Sequence, residues 1–367
     1  MKICHFTSAH PSNDVRIFEK ECVSLAKAGF EVFLVAAGEC DKEEKGVHIV
    51  TVKPKKQGRL YRMRRFAKLI FLKAFEQNAD IYHFHDPELL RFAKKLKQAG
   101  KIVIYDAHED LPLQISGKHW IPAFLRNSVA RAAKKYLKQC GKYLSAIITA
   151  TPAIEDSFIG FTKTKITVAN YPIIDEVQII ENKSIKKNTF CYIGGVSEIR
   201  GLSSMLEVAT KINITIEMAG PFSPPELINE AQQHPAWSKI VYHGVVGRQA
   251  VYEIMSRAKA GLVLLYPQSN YLESLPVKMF EYMAAGIPVI ASNFPLWEKI
   301  ISENECGICV DPKNPDAIAE AINYIINNNE KSQQMGANGQ KAIQEKYNWK
   351  IEEKKLITLY KNLIDNA

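Results

Sequence analysis

Short apolar segments of strand type alternate with longer segments of helical period, and this alternation occurs twice along the chain. In the first half the strand-type segments are KICHFT, EVFLVAA, VHIVTV, DIYHFH, KIVIYD and SAIITA. In the second half they are TFCYIG, ITIEMAG, KIVYHG, AGLVLLYP, IPVIAS and ICVDP. Because amphipathic stretches lie between several of these segments, each half is expected to form βαβ crossovers and a parallel sheet. The sequence therefore predicts two α/β domains.

A polar, basic stretch separates the two series. Residues 175–188, DEVQIIENKSIKKN, interrupt the alternation and are interpreted as an interdomain linker. The predicted domains are 1–174 and 189–348, and a final helix, about 349–367, is expected to pack back on the N-terminal domain. A chain of 367 residues suits two such domains. Two doubly wound domains in tandem predict a cleft at the carboxyl ends of both sheets, where ligands bind at topological switch points.

Several functional classes are disfavoured by the sequence. Neither a P-loop nor a Gly-x-Gly-x-x-Gly turn follows the first strand, which argues against an ATPase or a nicotinamide enzyme. No apolar run reaches eighteen residues, so no membrane-spanning helix is expected. The seven cysteines are scattered, apart from Cys306 and Cys309, and an odd number of unpaired thiols is typical of a reducing cytoplasm.

The stretch NYLESLPVKMFEYMAAGIPVIAS, 270–292, is the most informative for chemistry. Pro276 suits the first turn of a helix and Gly286 suits its end, so the spacing predicts a helix over about 276–285. The backbone of Leu275, Pro276 and Val277 then lies at the positive end of the helix dipole, which favours a diphosphate ligand. Lys278 adds a cation in the same turn.

Two glutamates flank the start of this helix. Glu273 lies just before the helix and Glu281 lies within it. A pair of carboxylates that accept hydrogen bonds from vicinal hydroxyls is what sugars and riboses require. The alternative is that both side chains are solvated. Their position between a strand that ends at Tyr266–Pro267 and the apolar run IPVIAS favours the sugar-binding interpretation.

These residues carry a resemblance to a known family. The stretch ESLPVKMFEYMAAGIPVIAS resembles the Glu-x7-Glu signature of the retaining family-four glycosyltransferases, which have the GT-B fold of two Rossmann-like domains. Further similar blocks are HPSNDVRIFEKECVSLAKAGFEV, DIYHFHDPELL, VIYDAHEDLP, YIGGVSEIRG and YNWKIEEKKLITLY. The first of these is similar to the opening of members that build bacterial capsular and surface polysaccharides. The resemblance extends along nearly the whole chain.

The resemblance implies roles for the matched positions. Glu273 would contact hydroxyls of the donor sugar, and Glu281 the ribose of the nucleotide. Arg200 lies where the family has a Lys or Arg that binds the donor phosphates. His108 matches the histidine that lies near the reacting sugar. The nucleotide base pocket would be lined by residues of two turns, Gly220, His243 and Gly244.

The chain departs from the family pattern at two places. Gly195 stands where the family usually has an Arg after the first strand of the second domain, which leaves Arg200 and Lys278 to neutralise the diphosphate. The usual Gly-Gly loop after the first strand of the chain is replaced by SAHPSND. In this loop Asp14 is expected to cap the following helix. Arg16 either reaches the donor-binding cleft or pairs with Glu19 or with a residue next to Lys20.

The expected activity is transfer of a hexosyl or N-acetylhexosaminyl group from a nucleotide-sugar, with UDP-sugar favoured. The acceptor is expected to be lipid-linked or a polysaccharide, and the anomeric configuration to be retained. Alternatives are a nucleotide-sugar 2-epimerase of the same fold and a non-catalytic sugar-binding module. Neither a cofactor nor a metal is expected, because Arg200, Lys278 and the helix N-terminus supply the positive charge.

Two histidines allow a different interpretation. His83 and His85 alternate on one strand and so face the same side, with Asp86 next to them. A metal site would require a third convergent ligand. The favoured interpretation is that the cluster closes a strand end beneath the acceptor site.

The net charge of +9 is concentrated in the first half of the chain, whereas the second half is slightly acidic. Residues 53–75 contain nine Lys or Arg and no acid, and 118–144 form a second basic amphipathic stretch. This pattern favours contact with an anionic membrane surface, so the protein is expected to be cytoplasmic and peripheral on the inner face of the membrane. The alternative is a pair of helices with solvated basic faces. Nucleic acid is disfavoured because no binding module is present, and the sequence indicates no oligomeric state.

Overall fold

The computed structural model describes residues 1–56, 58–116, 121–174 and 188–366. They divide into two compact units. Unit 1 comprises residues 1–170 together with 349–367, and unit 2 comprises residues 171–348. The predicted linker, 175–188, lies outside the described residues apart from Asn188.

Unit 1 is built on an eight-stranded sheet. Its strands are β1 (Lys2–Pro11), β2 (Glu31–Ala37), β3 (Lys42–Glu44), β4 (Val47–Val52), β5 (Ile81–Phe84), β6 (Ile102–Ala107), β7 (Ala146–Thr149) and β8 (Lys165–Thr167). They lie in the order β3-β4-β2-β1-β5-β6-β7-β8, and all neighbours are parallel except β3 and β4. The order reverses at β1, so the topological switch point lies between β1 and β5.

The helices of unit 1 connect these strands. They are α1 (Val23–Lys27), α2 (Arg59–Tyr61), α3 (Ala67–Glu76), α4 (Ala93–Gln98), α5 (Leu111–Ser116), α6 (Ala123–Gly141) and α7 (Pro152–Ser157). Val15–Cys22 and Arg62–Phe66 form wider π-helical turns that lead into α1 and α3, and Pro87–Phe92 is a 3-10 turn before α4. The Asp14 carboxylate accepts hydrogen bonds from the backbone N–H groups of Arg16 and Ile17, which confirms the predicted cap.

Unit 2 contains a second, fully parallel sheet. Its strands are β9 (Thr189–Ile193), β10 (Thr215–Ala219), β11 (Ile240–Tyr242), β12 (Gly261–Val263), β13 (Val289–Ser292) and β14 (Gly307–Val310), in the order β11-β10-β9-β12-β13-β14. Successive residues of β9 pack into different apolar clusters: Phe190 and Tyr192 into one, Cys191 and Ile193 into the other. Both faces of the sheet are therefore buried, which explains why its strands are continuous apolar runs.

The helices of unit 2 cover these two faces. They are α8 (Leu202–Lys211), α9 (Leu227–Gln233), α10 (Arg248–Arg257), α11 (Ser269–Leu272), α12 (Val277–Ala284), α13 (Pro295–Glu303), α14 (Pro315–Asn327) and α15 (Asn329–Glu345). Glu198–Arg200 and Pro235–Lys239 are 3-10 turns. The predicted helix over about 276–285 is α12, preceded by Pro276 and followed by Gly286 at φ 73°. No helix in the described ranges combines the length and apolarity that crossing a membrane requires.

Helix α16 (Trp349–Asp365) belongs to unit 1 although the whole of unit 2 precedes it in the sequence. The Trp349 indole donates to Ser24 Oγ at 2.9 Å, and the buried Glu352 carboxylate accepts from the backbone N–H of Ala169 at 2.9 Å. The buried Tyr360 hydroxyl lies 2.7 Å from His83 Nδ1. The hydrogen bonds of α16 therefore reach both the helical layer and the sheet of unit 1.

Candidate active site

Three glycine-containing turns meet at the carboxyl ends of β9, β10 and β11. Gly194 N–H donates to Ala219 O, and Gly220 N–H donates to Gly244 O, each at 2.8 Å. A Cβ atom at Gly220 would lie 2.1 Å from Gly194 O, and Gly220 has a φ of 139°. Only glycine permits this backbone-on-backbone contact. The turns therefore leave the strand ends of unit 2 uncovered by side chains at these positions.

Arg200 occupies the space beside the second glycine of the first turn. Its Nη1 donates to Gly195 O at 3.1 Å. A Cβ atom at Gly195 would lie 2.3 Å from that Nη1. A side chain at position 195 would therefore require the flexible guanidinium of Arg200 to move from its present position.

Lys278 contributes a second cation to the same loop. Its Nζ lies 3.6 Å from the centre of the Tyr192 ring and is buried, with no hydrogen-bond partner among the described residues. The absence of a side chain at Gly194 leaves room for it, since a Cβ atom there would lie 3.3 Å from Nζ. Burial, and then the neighbouring Arg200 charge, hold the pKa of Lys278 well below its usual value. A phosphate next to Nζ would favour the charged form and supply the missing hydrogen-bond acceptor, so this arrangement favours an anionic ligand.

The N-terminus of α12 also has polar groups without a hydrogen-bond partner within the described ranges. In the described part of the chain the N–H groups of Leu275 and Val277 donate to no acceptor, and Pro276 has no N–H. The segment before the helix is held by the Trp297 indole, which donates to Ser274 O at 2.7 Å. Unused N–H groups at a helix N-terminus next to a lysine form a typical anion-binding arrangement.

The two glutamates of the motif lie in different environments. The Glu281 side chain is only 15% exposed, and its Oε1 lies 3.6 Å from Arg248 Nη1. Glu273 is exposed, and its side chain makes no hydrogen bond or ion pair with any residue that the structure describes, while its backbone N–H donates to Tyr271 O. The structure thus brings Arg200, Lys278 and Glu281 together, whereas Glu273 lies in solvent without a contact to them.

His243 is held by a buried acid that the sequence interpretation missed. Its Nε2 lies 2.9 Å from Glu217 Oε2, and Arg257 Nη2 donates to the same oxygen at 2.7 Å. Glu217 is 1% exposed and lies on β10. Glu217 therefore fixes the ring orientation of His243. The next residue, Gly244, supplies the carbonyl oxygen that accepts a hydrogen bond from the Gly220 N–H.

In unit 1, Asp106 organises the carboxyl end of β6. Arg16 binds it as a fork, with Nε and Nη2 each at 2.9 Å from a carboxylate oxygen. His108 Nε2 lies 2.8 Å from Asp106 Oδ2, and His85 Nδ1 lies 3.2 Å from it. Burial raises the pKa of Asp106, but Arg16 and His108 together hold it well below its usual value. The ionised carboxylate thus orients His108, which is 19% exposed.

The interpretation of Arg16 as a donor-binding residue requires correction. Arg16 is 4% exposed, its Nη1 donates to Val168 O at 2.8 Å, and its Nε lies 3.2 Å from Glu21 Oε1. Its donors are therefore directed at protein groups and not at a ligand. The other expectation was that Arg16 pairs with Glu19 or with a residue next to Lys20, and Glu21 is such a residue. The main partner, Asp106, was not foreseen because it is 90 positions away.

A cavity of about 380 Å³ lies at this edge of unit 1. Its lining includes His10, Arg62, Asp86 and His108. His10 comes from the loop SAHPSND, and its Nδ1 lies 3.2 Å from Asp14 Oδ2, while its ring centre lies 5.1 Å from that of His108. Burial lowers the pKa of His10, but the carboxylates of Asp14 and Asp86 raise it above its usual value overall. Sequence reasoning missed His10, although its place in the departing loop was a signal.

His83 and His85 lie on one side of the sheet, as predicted, with ring centres 4.6 Å apart. Asp86 does not join them. Its Oδ2 accepts from Ser8 N–H at 2.5 Å and from Thr7 Oγ1 at 2.9 Å. The carboxylate therefore fixes the end of β1 and is directed away from His83.

The family follows from comparison with known proteins. Residues 19–175 match the family described as Glycosyltransferase Family 4, and residues 174–342 match the one described as Glycosyl transferases group 1. The two matches adjoin and together extend through both units. The chain belongs to the family-four glycosyltransferases.

Two curated relatives are similar to this glycosyltransferase over about half of its length. An uncharacterized glycosyltransferase of Methanocaldococcus jannaschii is 26% identical over 175 residues, which cover 46% of this chain and 44% of that protein. The O-antigen chain mannosyltransferase C of Escherichia coli is 23% identical over 187 residues, 50% of this chain and 49% of that protein. The chain thus spans about half the length of the curated relatives it matches.

Solved structures show that the fold of the glycosyltransferase is GT-B. Sucrose-phosphate synthase from Thermosynechococcus elongatus superimposes with a TM-score of 0.79 at 16% identity, over 100% of both chains. The Anabaena protein HepE, solved in complex with UDP-glucose, gives a TM-score of 0.71 at 12% identity, over 99% of this chain and 100% of that one. At these identities the likeness concerns the fold alone.

Proposed function

We propose that this glycosyltransferase transfers a sugar from a nucleotide-sugar, bound by unit 2, to an acceptor bound by unit 1. The observation that carries the proposal is the buried, unpartnered Nζ of Lys278 beside Arg200 and the N-terminus of α12. Arg200, a lysine whose charged form a bound phosphate would favour, and unused helix N–H groups suit the two phosphates of a nucleoside diphosphate. The UDP-glucose complex of the structural neighbour HepE supports a UDP-sugar as donor.

On this proposal, catalysis is mainly electrostatic. Departure of the nucleoside diphosphate places negative charge on its oxygens, and Arg200, Lys278 and the helix N-terminus stabilise that charge in place of a metal ion. The hexosyl or N-acetylhexosaminyl group is transferred with retention, the departing phosphate accepts the proton of the acceptor hydroxyl, and His108 lies near the reacting sugar. The E. coli O-antigen relative supports a lipid-linked or polysaccharide acceptor in surface-polysaccharide synthesis.

A donor panel tests the proposed reaction. The protein is incubated with UDP-, GDP- and ADP-sugars, without added Mg²⁺ or Mn²⁺, in the presence and absence of membrane extracts as acceptor source. We expect release of free nucleotide from one donor class, and more of it with acceptor present. An epimerised nucleotide-sugar without nucleotide release would identify a 2-epimerase instead. Binding without either product would identify a sugar-binding module.

The Glu281→Ala variant should bind nucleoside diphosphate roughly 10- to 150-fold more weakly, because a hydrogen bond to a charged group contributes about 1.5–3 kcal/mol. Titration calorimetry with UDP and with its 2′,3′-dideoxy analogue measures the effect. The parent should discriminate between the two nucleotides and the variant should not. Glu298→Ala, which changes an exposed glutamate of α13, is the matched control. Equal loss of affinity for both nucleotides would exclude a ribose contact.

We propose further that unit 1 docks on the anionic inner face of the membrane through 53–75, assisted by 118–144. Large apolar side chains in these stretches are exposed beside the basic ones, with Leu60 at 74% and Phe124 at 81%. Leu60 lies on the same helical face as Met63, Ala67, Ile70 and Ala74. Met63 is also exposed, whereas the last three are buried in unit 1. Gln57 and residues 118–120, which include Trp120, lie outside the described residues.

A variant with Arg64, Arg65 and Lys68 changed to Ser should bind anionic vesicles about 100-fold more weakly, because each basic residue near such a surface contributes about 1 kcal/mol. Sedimentation with phosphatidylglycerol vesicles at low and high salt measures this, and binding should weaken as salt rises. All three side chains are exposed. The control changes three exposed lysines of unit 2 to Ser: Lys299, Lys331 and Lys341. If both variants sedimented alike, the basic stretch would be only a solvated face.

A further inference from the structure

Three imidazoles and one carboxylate converge in the interior of unit 1. His5 lies on β1, directly paired in register with His83 on β5, and His85 follows that strand. Glu21 comes from the helical turn Val15–Cys22. The four residues are between 0% and 3% exposed. The proposed transfer reaction does not use His5, Glu21 or His83, so this cluster requires a separate explanation.

One nitrogen of each imidazole has a partner on the outside of the cluster. His83 Nδ1 lies 2.7 Å and His5 Nε2 lies 3.1 Å from the Tyr360 hydroxyl oxygen. His85 Nδ1 lies 3.2 Å from Asp106 Oδ2. Histidines that bind a metal almost always donate their other ring N–H to a carboxylate, a carbonyl or another oxygen in this way. The Asp106 carboxylate can only accept, so His85 donates from Nδ1 and has a lone pair on Nε2. The Tyr360 hydroxyl oxygen can accept from both His83 and His5, which would leave lone pairs on their inward nitrogens as well.

Two of the four residues have inward atoms without a hydrogen-bond partner among the residues described. His83 Nε2 and both carboxylate oxygens of Glu21 are buried without a hydrogen-bond partner in the described structure, although Arg16 Nε lies 3.2 Å from Glu21 Oε1. His5 Nδ1 and His85 Nε2 lie 3.1 Å apart, which is a hydrogen-bond distance and is also close to the separation of about 3.3 Å between two ligands on a tetrahedral zinc ion. One ligand atom from each of the four residues lies within 4.8 Å of all the others.

We propose that His5 Nδ1, His83 Nε2, His85 Nε2 and the Glu21 carboxylate bind one Zn²⁺ ion. Three imidazole nitrogens and one carboxylate oxygen form a tetrahedral ligand set that suits zinc, whereas Mg²⁺ and Ca²⁺ require oxygen ligands. All four coordination positions are filled by protein, as in structural zinc sites. The ion would join β1, β5 and the Val15–Cys22 turn, and none of its four ligands is assigned a role in the proposed transfer reaction.

A second set, His85, Asp106 and His108, also lies within 4.8 Å. It is the weaker candidate because both Asp106 oxygens already accept hydrogen bonds from Arg16. The third ligand that a site at His83 and His85 requires comes instead from His5, and the fourth from Glu21. Neither lies near His83 in the sequence, so the strand pattern alone had not indicated them.

Metal analysis of the untagged protein, expressed in zinc-supplemented medium, tests the site. We expect one zinc ion per chain by mass spectrometry. Expression in Co²⁺ medium should give the intense visible absorption of tetrahedral cobalt. His83→Gln and Glu21→Gln should lose the metal, whereas His48→Gln, which changes a half-exposed histidine, should keep it.

The cobalt spectrum is measured on the parent protein, so it decides the question even if a variant fails to fold. Parent protein without stoichiometric zinc and without the tetrahedral cobalt bands would overturn the proposal, and the cluster would then be a hydrogen-bonded network with a protonated Glu21. Zinc that remains stoichiometric in both folded variants would also overturn it. Neither result bears on nucleotide release in the donor panel, so the two proposals fail separately.

Discussion

The Arg200→Ala variant should turn over about 10²–10³-fold more slowly than the parent, because removing one preorganised charge contact to a developing anion typically has an effect of that size. Arg200 lies against Gly195 O with no second cation at position 195 to replace it. The loss should appear in kcat, since the interaction strengthens as the diphosphate departs. Steady-state release of nucleotide measures it.

The matched control is Lys211→Ala, which removes an exposed cation that pairs with Asp316 on the surface of unit 2. It should retain parental turnover. Glu273→Ala tests the donor-sugar contact by the same assay and should lose activity on the same scale, although the Glu273 side chain makes no hydrogen bond or ion pair in the described structure. If Arg200→Ala raised only KM, Arg200 would bind the phosphates equally well in the ground state and in the transition state. That result would contradict the transition-state role.

Arg16→Met should lower the free energy of unfolding of unit 1 by about 3–5 kcal/mol, because it leaves the buried carboxylate of Asp106 without its cation. Arg16 and Asp106 are both almost fully buried, and Glu21 lies next to them. Urea denaturation followed by hydrogen exchange of peptides from β1 and β6 reports on unit 1 alone. Lys53→Met is the matched control, since Lys53 and Glu39 form a pair that is about 70% exposed on both sides and contributes little.

The Arg16 effect should also depend on pH. The pKa of Asp106 is held below its usual value in the folded protein, so the pair stabilises unit 1 at neutral pH. This contribution is lost as the pH falls through that depressed pKa. The parent should therefore lose stability in acid more steeply than Arg16→Met. Parallel acid profiles would show that the ion pair does not stabilise the fold.

The local sequence pattern was sufficient to predict many of the strands and helices of unit 2. The apolar runs predicted the strands, and Pro276 with Gly286 delimited α12 to within a residue at each end. Glu281 and Lys278 share that helix, so their proximity follows from helical spacing alone. Asp14 as a cap was predictable for the same reason, because its acceptors are two and three residues away.

The polar interior of unit 1 could not be predicted in this way. Arg16 and Asp106 are joined across 90 positions, and Tyr360 reaches His5 across 355. Periodicity identifies a strand but does not give its neighbours, which depend on the crossover order β2-β1-β5-β6. The partner of Glu217 could not be identified from the sequence for the same reason. The only local signal was that its acidic side chain interrupts an apolar strand, which indicates a buried polar partner such as His243.

The return of α16 to unit 1 has a consequence for biosynthesis. A ribosome adds roughly 5–20 residues per second, so the whole of unit 2 takes roughly 10–40 s to emerge after Asn170 and before Trp349. During that interval the nascent sheet of unit 1 has His5 and His83 but not the Tyr360 hydroxyl that contacts both. Unit 2 is thus complete on the ribosome before unit 1 is. On the zinc proposal, the interval would leave His5 and His83 open to the metal ion before Tyr360 contacts them.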